Sequence, residues 1–142
     1  MILRGKTVNE GKVEGEAIVS KLPFSVLGDL EVATGRIMVK GHDLEGQSLK
    51  GKIFVFTTGK GSTGGPLVAY QAKLQGNMPI GMICTEAEPV IAMVAIMNDI
   101  PMVHKLNKNP VEVIETGDYI KMDAEAGRVE VIRRATSVVL PK

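Results

Sequence analysis

Tryptophan is absent from this sequence, and only two Tyr and three Phe occur among its 142 residues. The aromatic platforms on which single-stranded nucleic acid stacks are therefore missing. Neither sign of charge is in excess: 17 Lys and Arg balance 16 Asp and Glu and lie scattered along the chain. Capture of a phosphate backbone depends on a dense basic face, so nucleic acid is not an expected partner. Long apolar runs are lacking as well. The longest, Val90 to Met97, falls far short of the roughly 20 residues that span a bilayer, and Arg4 and Lys6 interrupt the N-terminus early. No membrane or secretory segment is expected, and a cytoplasmic location follows.

Cysteine is nearly absent too. Cys84 is the single one, which excludes an internal disulfide and leaves too few thiols for an iron-sulfur cluster or a structural zinc site, each of which needs three or four ligands. Any metal chemistry would draw on a partner's ligands. Cys84 lies in the apolar run Ile80 to Cys84 and reads as a buried, inert thiol.

What is present is the composition of one globular domain, 44% hydrophobic and 23% charged, long enough to bury roughly 68–70% of its unfolded surface. The expected domain covers residues 1–142, with a frayed tail over about 135–142. Alternation over Val13 to Val19 reads as a half-buried strand, preceded by a further strand at Lys6 to Asn9. Leu22 to Gly35 reads as a long ordered loop anchored by Phe24. Arg36 to Lys40 reads as a short strand, and Gly41 to Gly46 as a turn or site loop.

From Ile53 the pattern changes. Ile53-Phe54-Val55-Phe56-Thr57-Thr58 is apolar, aromatic and β-branched without alternation, as in a strand buried on both faces. It runs into Gly59-Lys60-Gly61-Ser62-Thr63-Gly64-Gly65-Pro66, after which Leu67, Tyr70 and Leu74 recur at helical spacing up to Gly76. Ile80 to Cys84 follows as a second buried strand, Pro89 to Met97 as an apolar helix, and Ile100 to Val103 as a third extended piece. These are two α/β units in series. Val111 to Ile114, Tyr119 to Met122 and Arg128 to Arg133 read as short strands, the last two joined in a hairpin.

A glycine-rich segment between a buried strand and a helix N-terminus lets backbone N–H groups converge on an anion. It is not a Walker A loop, because no Gly-Lys-Ser/Thr follows at the required spacing and Lys60 precedes the serine; nor does it read as a G-x-G-x-x-G followed by a ribose-binding acid. Two readings stay open on the residues alone: a carboxylate or phosphate site, or a tight turn in which Ser62 and Thr63 cap the helix.

Gly61-Ser62-Thr63-Gly64-Gly65, the upstream Gly41-His42-Asp43-Leu44-Glu45-Gly46-Gln47-Ser48 and the downstream Glu115-Thr116-Gly117-Asp118 stand in a distinctive order. In that order the sequence resembles the aconitase X small-subunit family, and within it the archaeal phosphomevalonate dehydratase small subunits, over nearly the whole chain. The resemblance implies an α/β fold of the swivelling β/β/α type. It implies half of a heteromeric hydro-lyase whose large subunit carries an iron-sulfur cluster, acting on a small phosphorylated hydroxy acid, 5-phosphomevalonate, in a modified mevalonate route to isoprenoids. It also implies that Ser62 is the proton acceptor. Many members carry a second serine soon afterwards, where this chain has Gly64-Gly65-Pro66.

Around Ser62, the substrate-binding candidates are Gly61, Thr63, Gly64 and Gly65, with His42 in its Gly-flanked loop and Arg36, a residue type that clamps carboxylate or phosphate in bidentate fashion. Within the enzyme reading, cis-3-hydroxy-L-proline is the alternative substrate; outside it stands a non-catalytic anion-binding module. The mobile phosphohistidine domain of phosphoenolpyruvate-using enzymes shares the Thr-Gly-Gly start. Here Pro66, Leu67, Val68 and Ala69 occupy the positions where its histidine would follow.

Overall fold

The computed structural model describes residues 1–62 and 64–135. Their elements in chain order are β1 (Ile2–Arg4), β2 (Lys6–Asn9), β3 (Lys12–Val19), α1 (Val26–Asp29), β4 (Ile53–Phe56), α2 (Gly65–Leu74), β5 (Gly81–Cys84), α3 (Pro89–Met97), β6 (Met102–His104), α4 (Pro110–Val113), β7 (Tyr119–Asp123) and β8 (Arg128–Arg133). The strand order is β1-β8-β7-β3-β4-β5-β6-β2.

One long strand belongs to both halves of this sheet. Lys12 to Glu16 of β3 pair antiparallel with β7, while Ala17 to Val19 pair parallel with Ile53 to Val55 of β4. The halves fold onto each other about β3 and enclose a core in which Ile120, Met122, Val129 and Val131 meet Ile53, Val55, Ile83 and Val103. A second core lies on the other face of the parallel half, where Phe54, Phe56, Met82, Cys84 and Met102 pack against Ala69, Ala72, Ile91, Val94 and Ala95 of α2 and α3. The layers are thus sheet, sheet, helices, in agreement with the β/β/α expectation.

The strictly alternating destinations of β4 explain its unalternating sequence: Ile53 and Val55 fill one core, Phe54 and Phe56 the other, and all four are fully buried. Phe54 and Phe56 stack with ring centroids 4.5 Å apart, and Phe24 meets Phe54 edge-on at 4.9 Å. That contact seats the Leu22 to Gly35 stretch, which is a loop apart from the single turn α1, itself broken by non-helical angles at Leu27 and Gly28.

Several expectations are corrected. Arg36 to Lys40 is not a strand: Arg36 and Ile37 make only isolated bridges to Ser48, Leu30 and Glu45, because Gly35 and Gly41, at φ of 74° and 82°, curl the chain on both sides. Val111 to Ile114 is not a strand either. Pro110 at the first helical position and the Asn109 side chain, which accepts from the Val111 N–H at 3.3 Å, turn it into α4. The spacing of Leu67, Tyr70 and Leu74 locates α2 but not its buried face. These three are 65%, 50% and 69% exposed, whereas Gly65, Ala69 and Ala72 face inward, small enough to bring the helix close to the sheet. Strand β1, which covers the core through Leu3, carries no signal that the sequence reading used. The tail expected to fray lies outside the described residues beyond Ala135, whose N–H reaches Asp118 Oδ1 at 2.8 Å.

Phe54→Ala should remove the ring that both Phe24 and Phe56 touch and cost about 3–5 kcal/mol of stability. Urea unfolding of the purified chain measures it.

Candidate active site

Beyond Phe56 the chain leaves the sheet at the C-terminal ends of the parallel strands, the edge where open α/β sheets hold ligands. Residues 58–61 are fastened to the Phe24 segment on the way out: Phe24 N–H donates to Thr58 O at 2.9 Å and Lys60 N–H to Phe24 O at 3.0 Å. Gly61 and Ser62 then both take positive φ, 88° and 89°. For serine this left-handed backbone costs about 1–2 kcal/mol. The Ser62 carbonyl accepts the Gly65 N–H at 3.0 Å and so opens α2, whose N-cap is Gly64 with no side-chain cap.

The Ser62 hydroxyl is therefore not spent on capping. It is exposed and bonds to none of the described residues. Gly64 sits in ordinary helical backbone at φ −79°, and a Cβ there would stand 3.2 Å from Leu27 Cδ2. The freedom to reach positive φ is thus needed at Gly61, not at Gly64. Gly65 is buried against Val90, and Thr63 lies outside the described residues.

Three further side chains hold the loop, and sequence reasoning gave none of them a part in it. Lys60 Nζ lies 3.0 and 3.1 Å from the Asp29 carboxylate oxygens. Asp29, with a side chain 5% exposed, also accepts the Ser25 N–H at 2.9 Å. Ser25 Oγ donates to Leu27 O at 2.9 Å and approaches Gly61 O at 3.3 Å. The available signal was a lone cation inside a glycine loop, two residues before the serine.

On the other side the loop rests on the start of α3. Glu88 caps that helix, accepting from Val90 N at 2.9 Å and Ile91 N at 2.7 Å, and a Cβ on Gly59 would collide with its carboxylate and with Ile91. Thr57, Thr58, Thr85, Glu86, Ala87, Glu88, Pro89 and Asn109 line an open cleft of about 580 Å³ here. His104 closes the β5–α3 loop by accepting the Ala87 N–H at its Nδ1, 3.0 Å. Burial first, and the Lys105 charge second, hold its imidazole below the ordinary value of 6.5. Cys84 is fully buried, donates to Thr57 O at 3.3 Å and is pushed up to about 12 by burial.

The remaining predicted residues have other surroundings. His42 is buried within its own loop, its side chain 4% exposed, with Nδ1 accepting from Leu44 N at 3.0 Å. The neighbouring Asp43 ties that loop to the end of β3 through Ser20 Oγ and the Lys21 N–H, both at 2.8 Å. Arg36 is exposed and donates to Gly46 O at 2.8 Å. No hydrogen bond or ion pair joins either His42 or Arg36 to Gly61, Ser62, Gly64 or Gly65. In the third motif, Thr116 accepts the Val19 N–H, and the buried Asp118 accepts the Glu115 N–H, so it braces β3.

The aconitase X swivel domain model matches residues 2–131. The chain belongs to the aconitase X swivel domain family. Curated relatives in this family include the phosphomevalonate dehydratase small subunits of Methanocaldococcus jannaschii, 45% identical over 94% of this chain and 100% of that one, and of Methanocella arvoryzae, 43% identical over 92% and 98%. The swivel domain also superposes on a chain from the crystal structure of Thermococcus kodakaraensis aconitase X in its holo form, with a TM-score of 0.88 and 41% identity over 94% of this chain and 99% of that one.

The lowered pKa of His104 makes stability depend on pH. The unfolded chain takes up this proton more readily than the folded one, so the stability it contributes is full above about pH 6.5 and is lost as pH falls towards the lower folded value. The urea midpoint of the swivel domain should fall on going from about pH 7 to about pH 5. In His104→Gln, which removes the titrating group, that fall should shrink; an unchanged pH dependence would count against the assignment.

Proposed function

We propose that this chain is the small subunit of a two-subunit hydro-lyase that dehydrates (R)-5-phosphomevalonate to trans-anhydromevalonate 5-phosphate, with Ser62 as proton acceptor. The observation that carries the site is the Ser62 hydroxyl, exposed and bonded to none of the described residues, two residues beyond a Lys60 that is paired with Asp29. Full-length similarity to small subunits bearing that enzyme name supports the substrate.

In this reaction the C–H bond α to the carboxylate breaks and its proton passes to Ser62 Oγ. Its electron pair becomes the new carbon–carbon double bond as the β-hydroxyl departs with its own pair and, with a proton, becomes water. A neutral serine hydroxyl is a poor base, so positive potential must hold it as the alkoxide. The glycine loop and the start of α2 contribute oriented N–H dipoles, and we assign the substrate's anionic end to the backbone of Gly61, Gly64 and Gly65. Lys60 is already committed to Asp29, which leaves the full positive charge to the large subunit.

An iron-sulfur cluster does not fit the residues of this chain. Its one thiol is buried with a raised pKa, and no group of three His, Cys, Asp or Glu among the described residues could hold a metal ion. We place the cluster on the large subunit and assign hydroxyl departure to no group here. Among the described residues no helix is long and apolar enough to cross a membrane; we place the assembled enzyme in the cytoplasm.

Ser62→Ala should lower kcat of the assembled enzyme by about 10²–10⁴-fold with a smaller change in KM. Its unfolding midpoint should stay near wild type, because the lost hydroxyl bonds to none of the described residues. A near-normal kcat in a stably assembled variant would overturn the base assignment, and turnover by the isolated small subunit would overturn the need for two chains.

A further inference from the structure

A residue in strained backbone keeps that conformation only where its surroundings over-determine it. Ser62 holds positive φ next to a glycine that does the same, so something must fix both ends of the pair. Downstream, the Gly65 N–H closes on the Ser62 carbonyl at 3.0 Å. Upstream, the fixed point is Asp29. Its carboxylate is buried, takes Lys60 Nζ on both oxygens at 3.0 and 3.1 Å, and takes the Ser25 N–H at 2.9 Å. One carboxylate thus grips residue 60 directly and fixes Ser25, whose single hydroxyl proton goes to Leu27 O at 2.9 Å and whose oxygen packs 3.3 Å from the Gly61 carbonyl.

Resting on the base assignment made above, we infer that Asp29 is a positioning residue for Ser62: its ion pair with Lys60, together with Ser25, holds the loop in the one backbone conformation that presents the serine oxygen to substrate. Asp29 touches no reacting atom. Misplacing a reacting group by about 1 Å costs on the order of 10²-fold in rate, so a loop held less tightly loses turnover before it loses binding.

The variants are tested in the assembled two-subunit enzyme. Asp29→Asn keeps the shape and can still accept the Ser25 N–H but loses the ion pair. It should lower kcat by about 10–100-fold, with KM changed less than about threefold. Lys60→Met should do the same, and Lys60→Arg, which restores a cation opposite Asp29, should recover most of the loss. In a Ser62→Ala background the Asp29→Asn change should cost nothing further, because the group it positions is gone. Should Asp29→Asn fail to assemble, the Lys60→Met and Lys60→Arg pair carries the test, since Lys60 is 46% exposed on its side chain.

Unchanged kcat in Asp29→Asn alongside a collapse in Ser62→Ala overturns the positioning role alone and leaves the base role standing. Unchanged kcat in Ser62→Ala overturns the base role itself. Losses that multiply in the double variant, or a lowered unfolding midpoint with normal kcat per assembled enzyme, show that Asp29 acts on the fold and not through Ser62.

Discussion

Because Ile53 and Val55 fill one core and Phe54 and Phe56 the other, β4 cannot slip by one residue without sending all four side chains to the wrong layer. That constraint sets the height at which the chain leaves the sheet, and the site is built from that height outward. Thr58 O meets Phe24 N, and Lys60 N meets Phe24 O, only in this register. Phe24 is itself placed by its edge-on contact with Phe54. The same aromatic cluster therefore supports the core and carries the segment that bears Ser25 and Asp29 to the glycine loop.

The loop beyond that point is held from three sides by different physics. Backbone pairing with Phe24 fixes its direction, the buried Asp29 carboxylate fixes Lys60, and the α3 cap formed by Glu88 walls off Gly59. Gly59 has no room for a side chain, whereas Gly61 has open space and is required by its φ. The two glycines are thus needed for unrelated reasons, one for close approach and one for conformation. A serine at φ 89° in such a frame is held by its neighbours without being buried, which is the state a surface nucleophile or base needs.

Much of the fold was legible because its strongest elements obey local rules. The doubly buried β4, the strand–loop–helix transition at Gly59 to Pro66, and α3 opening at Pro89 follow from apolar runs, glycine and proline alone. What failed were the places where a cap or a glycine turn outweighs a β-branched run, as at Asn109-Pro110 and at Gly35 to Gly41. The position of Ser62 was legible from the glycine loop, while its supports were not. Asp29 is 31 residues from Lys60 in sequence and sits in an irregular stretch with no periodicity to interpret. Likewise His42, flanked by glycines as a site residue would be, turns out to be buried and bonded within its own loop.

The distribution of charge around Ser62 bears on why two chains are used. Lys60 is neutralised by Asp29, and Glu88 spends its carboxylate on two helix N–H groups. Both charges are therefore satisfied within the chain. In that setting a serine hydroxyl keeps its proton, since an alkoxide facing solvent has nothing to offset its cost. A cation brought by the large subunit would change this. On the proposed assignment of Ser62 as the base, separating the scaffold from the source of positive potential makes basicity a property of the assembled pair: the small subunit fixes where the oxygen stands, and assembly decides when it can accept a proton.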